Sequence, residues 1–327
     1  MSKAPRTGKA LIEASRPYAK ESRPRSWWAL VSTLCLLAVT TALAVLSHPW
    51  SVRLAFAIAS GLTIVRMFIL YHDFMHGALL RNSWPARAVF YTYALLIMTP
   101  PKVWRETHNY HHAHTAKIVG SHVGSYTMVT PRIWAAMSPR ARLYYRAARH
   151  PLTILVGYFT IFMFGMCVAP FLRAPAKKWD SGLSLLVNWA LSAFLVWQFG
   201  FAVFFFGYGL PLAIATAMGG YLFYAQHNFP GAHVQPRELW TFTRSALESS
   251  SYMEMGPVLR FFTGNIGYHH VHHLNSQIPF YRLPEAMAGI VELQDPPRTS
   301  LTPRDIVACL RLKMWDPDAG HMVGFPS

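Results

Sequence analysis

The chemistry open to this sequence is concentrated in its histidines. The chain holds 16 His, and they are not scattered. Three short runs carry most of them: His72-Asp73-Phe74-Met75-His76, His108-Asn109-Tyr110-His111-His112 and His269-His270-Val271-His272-His273. Residues three and four apart share one face of a helix. His72 and His76 are an i, i+4 pair. His108, His111 and His112 are an i, i+3, i+4 triple, and His269, His272 and His273 repeat it. Each run is therefore expected to aim its imidazoles at one point. His227, in Tyr224-Ala225-Gln226-His227-Asn228-Phe229, is expected as one more ligand on the same side. His270 breaks the shared-face spacing and is left out. His114 and His122 lie near the second run but off its triple. His48, His150, His233 and His321 stand alone and read as ordinary surface or core residues.

Eight or nine imidazoles are too many for one metal ion, since zinc takes about four ligands. Two six-coordinate ions with open positions for dioxygen or water fit the count better. Imidazole suits iron, copper, zinc and nickel. No Glu-x-x-His pair of the helical di-iron carboxylate proteins accompanies the runs. The whole chain has only 14 acidic residues. A site ligated mainly by neutral nitrogen is expected. Asp73, Glu106 and Asn265 are candidates for orienting imidazole N–H groups.

The elements that must position these histidines are apolar. The chain has 327 residues, 53% of them hydrophobic and 13% charged, with a formal net charge of +16. Soluble domains average about 25% charged residues, and disordered chains lack such apolar content. No charged residue occurs from 181 to 236. Residues 182–225 as one helix would reach roughly 66 Å, against a bilayer core of about 30 Å. That stretch reads as two crossings with a turn near 207–211. Residues 29–46 and 54–71 are two more, although Arg66 inside the second needs a partner.

The expected architecture is all-α and membrane-integral, with transmembrane helices at about 29–46, 54–71, 183–206 and 210–225. A helical cytoplasmic cap, 72–180 and 226–327, would hold the two metals. Residues 1–26 form a basic N-terminal segment, and 27–327 the membrane domain. Residues 89–99 are too short to cross. Residues 152–172, flanked by Pro151 and Pro170, must also not cross if all the histidines are to meet on one side.

The cations lie at the membrane edges. Lys3, Arg6, Lys9, Arg16, Lys20, Arg23 and Arg25 precede Trp27, and ten more lie between Arg81 and Arg149. The short turns near 47–52 and 207–211 carry none. The positive-inside rule places the N-terminus and the large loops in the cytoplasm. The excess charge then reads as topology signal and attraction to anionic lipid, not as nucleic-acid binding. No cleavable signal peptide is expected in the first 26 residues. Cys35, Cys167 and Cys309 are isolated and suggest no disulfide or thiolate metal site.

With these residues in view, the chain resembles the membrane-bound fatty acid desaturases, specifically bacterial acyl-lipid desaturases. The three runs match that family's His-x-x-x-His, His-x-x-His-His and His-x-x-His-His boxes in order. The segments Phe223 to His227, Thr263 to Tyr268, Ile278 to Leu283 and Trp315 to Phe325 are also similar. The likeness covers about residues 27–327. It implies a non-haem di-iron centre held by His72, His76, His108, His111, His112, His269, His272 and His273, with His227 in addition. It implies dioxygen as co-substrate and electrons from ferredoxin or a small b-type cytochrome. No His-Pro-Gly-Gly motif of a fused cytochrome occurs, so the donor is expected to be separate.

The reaction expected is desaturation of a fatty acyl chain, with lipid-linked substrate, in the bacterial inner membrane. Trp104 and Tyr110 are candidate walls of an acyl tunnel. The nearest rival is a hydroxylase or ketolase of the same superfamily acting on an alkane, sterol or carotenoid. A membrane zinc hydrolase is a remote one.

Overall fold

The structure is a computed structural model, and it describes residues 5–118 and 123–326. Lys3 and His122, singled out above, lie outside the described residues. The fold is mostly helical. Two short strand pairs add to the all-α expectation: Tyr252–Glu254 runs parallel to Arg298–Ser300, and Met314–Asp316 antiparallel to His321–Val323.

Among the described residues four helices are long and apolar enough to cross a membrane: Arg23–Leu46, Trp50–His76, Trp179–Phe199 and Phe201–Ala225. Their outer faces leave large apolar side chains exposed, among them Trp28, Val39, Leu186 and Trp197. A surface of that kind is stable against lipid. Each helix starts before the expected position, and the third ends early, at Phe199.

The break in the second apolar pair differs from expectation. It falls at Gly200, where φ is 85°, and not at 207–211. An L side chain would strain that backbone, whereas glycine adopts it freely. Gly207 and Gly209 instead sit inside a π-helical stretch, Phe205–Gly209. A Cβ at Gly207 would come within 2.7 Å of the Val45 side chain, so the glycine there serves close helix packing.

The chain divides into two compact units. One comprises 22–106 and 152–221. In it Thr41 and Ser60 share a hydroxyl hydrogen bond of 2.9 Å between the first two long helices. Arg66 finds the partner it needs: its Nε donates to Thr33 Oγ1 at 3.1 Å. Residues 152–172 form no long α-helix but two short ones, Pro151–Leu155 and Ala169–Arg173, on either side of a π-helix, Tyr158–Val168. Phe162 and Cys167 of that helix pack with Met98 and Leu185.

The other unit holds 1–21, 107–151 and 222–327. Its N-terminal helix, Gly8–Ser15, buries Leu11. Arg6 grips Glu292 with Nε at 2.9 Å and Nη2 at 2.7 Å, and Asn275 donates to Ser15 at 2.8 Å. Residues 5–21 of the basic segment thus belong to the unit that carries the second and third histidine runs. A core of Val129, Trp134, Tyr145 and Met314 supports the same unit.

Candidate metal centre

The first run ends the long helix Trp50–His76. Gly77 caps that helix with φ 74°, which stops it immediately after His76. The His72 and His76 rings lie 4.7 Å apart, one turn along the same face. His72 Nδ1 and Asp73 Oδ1 are 3.0 Å apart, and both residues are buried. Trp104 is buried edge-on against this pair, 5.6 Å from His72 and 6.0 Å from His76.

The second run lies on the helix Pro101–His114. Prolines before and at its first position suit a helix start, where an N–H has no partner anyway. The main-chain N–H of Lys102 donates to the buried Asp180 carboxylate at 2.8 Å, which satisfies a free N-terminal donor. At the other end Thr115 closes the helix. Its hydroxyl donates to His111 O at 2.7 Å, and its carbonyl accepts from Trp240 Nε1 at 3.0 Å and Ser245 Oγ at 2.7 Å.

The third run is a short helix, His269–Leu274. The loop before it turns through Gly264 and Asn265, with φ of 51° and 57°. Met253 of the strand Tyr252–Glu254 donates its N–H to Gly267 O at 2.8 Å, and the Tyr252–Tyr268 bridge sits alongside. The strand thus fixes where the helix begins.

Within this unit the imidazoles gather in two sets. In one, His111, His227, His269 and His273 bring ligand atoms within 4.8 Å of one another. The Nε2 atoms of His227 lie 3.1 Å from His111 and 2.9 Å from His269, and His273 is 3.1 Å from His269. In the other, His112 Nε2 is 3.1 Å from both His108 and His272. The sets abut where His112 and His273 stack at 4.3 Å.

Each triple therefore divides, contrary to the expectation of one focus per run. His108 and His112 serve one set, His111 the other. His269 and His273 serve one set, His272 the other. The reason is helical geometry. Adjacent residues are about 100° apart around a helix, so neighbouring imidazoles cannot reach one atom, whereas i and i+4 are only about 40° apart.

The donor set fits a cation. His227 Nδ1 lies 3.1 Å from Ser249 O and donates its proton there, which leaves Nε2 with a lone pair. His273 Nδ1 meets the Thr115 hydroxyl at 3.3 Å. Burial pushes the His227 pKa down to about 4 and holds that of His273 well below its usual range, with neighbouring imidazoles adding to the second shift. Neutral lone pairs facing each other at 3 Å repel unless a positive ion lies between them. Two nitrogens each about 2.1 Å from a metal and 90° apart would be about 3.0 Å from each other.

A pH dependence follows. The folded pKa of His227 and His273 is below the value near 6.5 of an exposed imidazole, so the unfolded chain binds more protons. Stability of the metal-stripped protein then falls as pH drops from about 6.5 towards 4. Unfolding midpoints of chelator-treated protein across this window are the measurement. A flat profile would contradict the burial of neutral imidazoles.

The remaining candidates fall elsewhere. Glu106 is at the surface in an ion pair with Lys178, because its position on the helix faces away from the imidazoles. Asn265 uses its side chain to donate to Phe280 O at 3.0 Å and hold the loop. Neither orients an imidazole. The Tyr110 ring stacks on His114 at 3.9 Å. His270 is fully buried, but its Nε2 lies 3.2 Å from Leu293 O. His48, His114, His150, His233 and His321 belong to neither set. The groups missed by sequence reasoning are the Thr115 hydroxyl and the Ser249 carbonyl. A carbonyl carries no residue signature, so nothing in the sequence could have marked it.

Long apolar helices and seven imidazoles gathered in two abutting sets define a helical membrane protein with a polyhistidine metal site. The chain belongs to the fatty acid desaturase family, whose model matches residues 47–302. It is 29% identical over 272 residues to a fatty acid desaturase of Bacillus subtilis, covering 82% of this chain and 76% of the relative. It is 23% identical to an sn-1 oleoyl-lipid 12-desaturase of Synechocystis, covering 82% and 76%. It is 24% identical to an sn-1 acyl-lipid omega-3 desaturase (ferredoxin) of Nostoc, covering 79% and 72%.

Proposed function

We propose that this protein is a dioxygen-dependent desaturase that forms a double bond in a fatty acyl chain, most simply one carried on a membrane lipid. The observation that carries the reading is the pair of abutting imidazole sets in a chain of this family. His111, His227, His269 and His273 would hold one iron ion. His108, His112 and His272 would hold the other, and the family's first histidine box would make His72 and His76 iron ligands as well.

An unactivated methylene cannot be deprotonated at a useful rate, and two iron ions with dioxygen would supply an oxidant able to remove its hydrogens. The protein's own part is positional. Burial keeps His227 and His273 neutral. Ser249 O keeps the His227 proton on Nδ1, and Asp73 would do the same for His72. The apolar face around Trp104 would help hold the acyl chain so that two neighbouring C–H bonds are presented together.

Electrons would come from a separate ferredoxin or small b-type cytochrome, and a basic surface suits an acidic donor. Positive charge flanking the apolar helices supports a cytoplasmic site in a bacterial inner membrane.

The test is expression in a host lacking desaturases, with mass spectrometry of its lipids. Acyl chains lighter by two hydrogens, with double bonds at one position, are the expected product. Chains heavier by one oxygen would mean a hydroxylase. One zinc per chain with oxygen-independent turnover would overturn the reading.

A further inference from the structure

Two cations are buried in the unit that carries the four-histidine set, and no carboxylate balances them. Arg149, at the end of the helix Pro139–Ala148, is 2% exposed. Its Nε donates to Thr127 O at 3.1 Å, Nη1 to Asn228 Oδ1 at 2.7 Å, and Nη2 to Tyr126 O at 3.2 Å and Thr127 O at 2.9 Å. All of these partners are dipoles. The Tyr224 hydroxyl is a further side-chain hydrogen-bond partner of Arg149.

Lys313 is 8% exposed and donates to Arg149 O at 2.7 Å. Burial first, and Arg149 second, push its pKa down to about 8. Among the described residues neither cation joins an ion pair. A buried charge without a counter-charge is costly.

Arg149 also lines a cavity of about 40 Å³, together with Tyr126, Ser249, Phe223, His111 and His227. The Tyr126 hydroxyl there is buried and has no hydrogen-bond partner. Burial pushes its pKa up, so it remains a neutral O–H donor. Its ring is held edge-on by Tyr224 at 4.9 Å. An unmet donor and a buried guanidinium with no carboxylate partner thus line one small space. A water needs about 10–15 Å³ by the same measure, so the space suits an occupant of about three heavy atoms.

We propose that this cavity binds a small monovalent anion, of formate or halide size, through the Tyr126 hydroxyl and Arg149 beside His111 and His227. The size excludes a lipid phosphate. Tyr126 and Arg149 are not among the proposed metal ligands, so anion binding through them can be tested without metal, although His111 and His227 also line the cavity. Its occupant would offset the two cations and make the stability of this unit depend on anion.

The test is thermal unfolding of the full-length protein in detergent, titrated with sodium formate against sodium gluconate at constant ionic strength, with sodium chloride as a second arm. Gluconate is too large to enter. Formate or chloride should raise the midpoint saturably, as ligands of the native state do. The rise should appear in metal-loaded and metal-stripped protein alike. Tyr126→Phe should raise the half-saturating concentration tenfold or more, and Arg149→Lys should abolish the response. If Arg149→Lys does not fold, Tyr126→Phe alone decides. No saturable rise would mean a water-filled cavity. A rise that Tyr126→Phe leaves unchanged would place the ion elsewhere, and one confined to metal-loaded protein would place it on the metal. Each of these overturns the proposal.

Discussion

Replacing His227 with alanine is expected to remove one of two bound metal ions and to abolish desaturation. His227 stands outside the three histidine runs, yet its Nε2 lies within 3.1 Å of both His111 and His269. Groups that only orient a metal ligand contribute about 10–100-fold to affinity or activity. Loss of a ligand should cost at least the upper end of that range, about 100-fold. The matched control is His270→Ala. His270 is fully buried and lies in the third run, but it faces Leu293 O. Its loss should leave two metals bound and cost about 1–3 kcal/mol for an orphaned buried acceptor. Metal analysis of the two purified variants separates a ligand from a buried histidine. If both lose metal equally, or neither does, the assignment of His227 fails.

Gly267→Ala is expected to damage the site without touching a ligand. A Cβ at this position would sit 2.4 Å from the Met253 carbonyl oxygen. The obstacle is backbone, and the same two residues are joined by a hydrogen bond from Met253 N to Gly267 O. Relief requires moving the strand away from the start of the third histidine helix, two residues further on. Overpacking of this kind costs about 1–3 kcal/mol, sometimes more. A lower unfolding midpoint should come with lower metal content, because His269 and His273 start from that helix. Gly256→Ala is the comparison, since nothing lies within 4 Å of a Cβ there. Wild-type stability and metal content in Gly267→Ala would show that the strand does not set the register of the third run.

Much of the site was legible because its signals are local. Spacing of three and four residues is enough to place imidazoles on one helix face. A long charge-free stretch is enough to mark a helix that can cross a membrane. His227 was also legible, as a histidine at the exit of an apolar helix. Arg66 was correctly read as needing a partner, although Thr33 as that partner is a tertiary fact.

Other features misled for the same reason. Gly207, Gly209 and Pro211 look like a turn, yet Gly200 makes the break, because glycines also serve where helices pack closely. Glu106 and Asn265 are close to the runs in sequence, but the turn of a helix and the course of a loop send their side chains elsewhere.

The amino-acid sequence by itself determined the family, the apolar helices and the roster of histidines, since these depend only on which residues stand at which spacing. Tertiary structure alone decided how each triple is shared between two metal sets. It also decided which carbonyl and hydroxyl hold the imidazole protons, and that Arg149 and Tyr126 meet around one cavity. These depend on segments far apart in the chain, and on backbone groups that every residue carries alike.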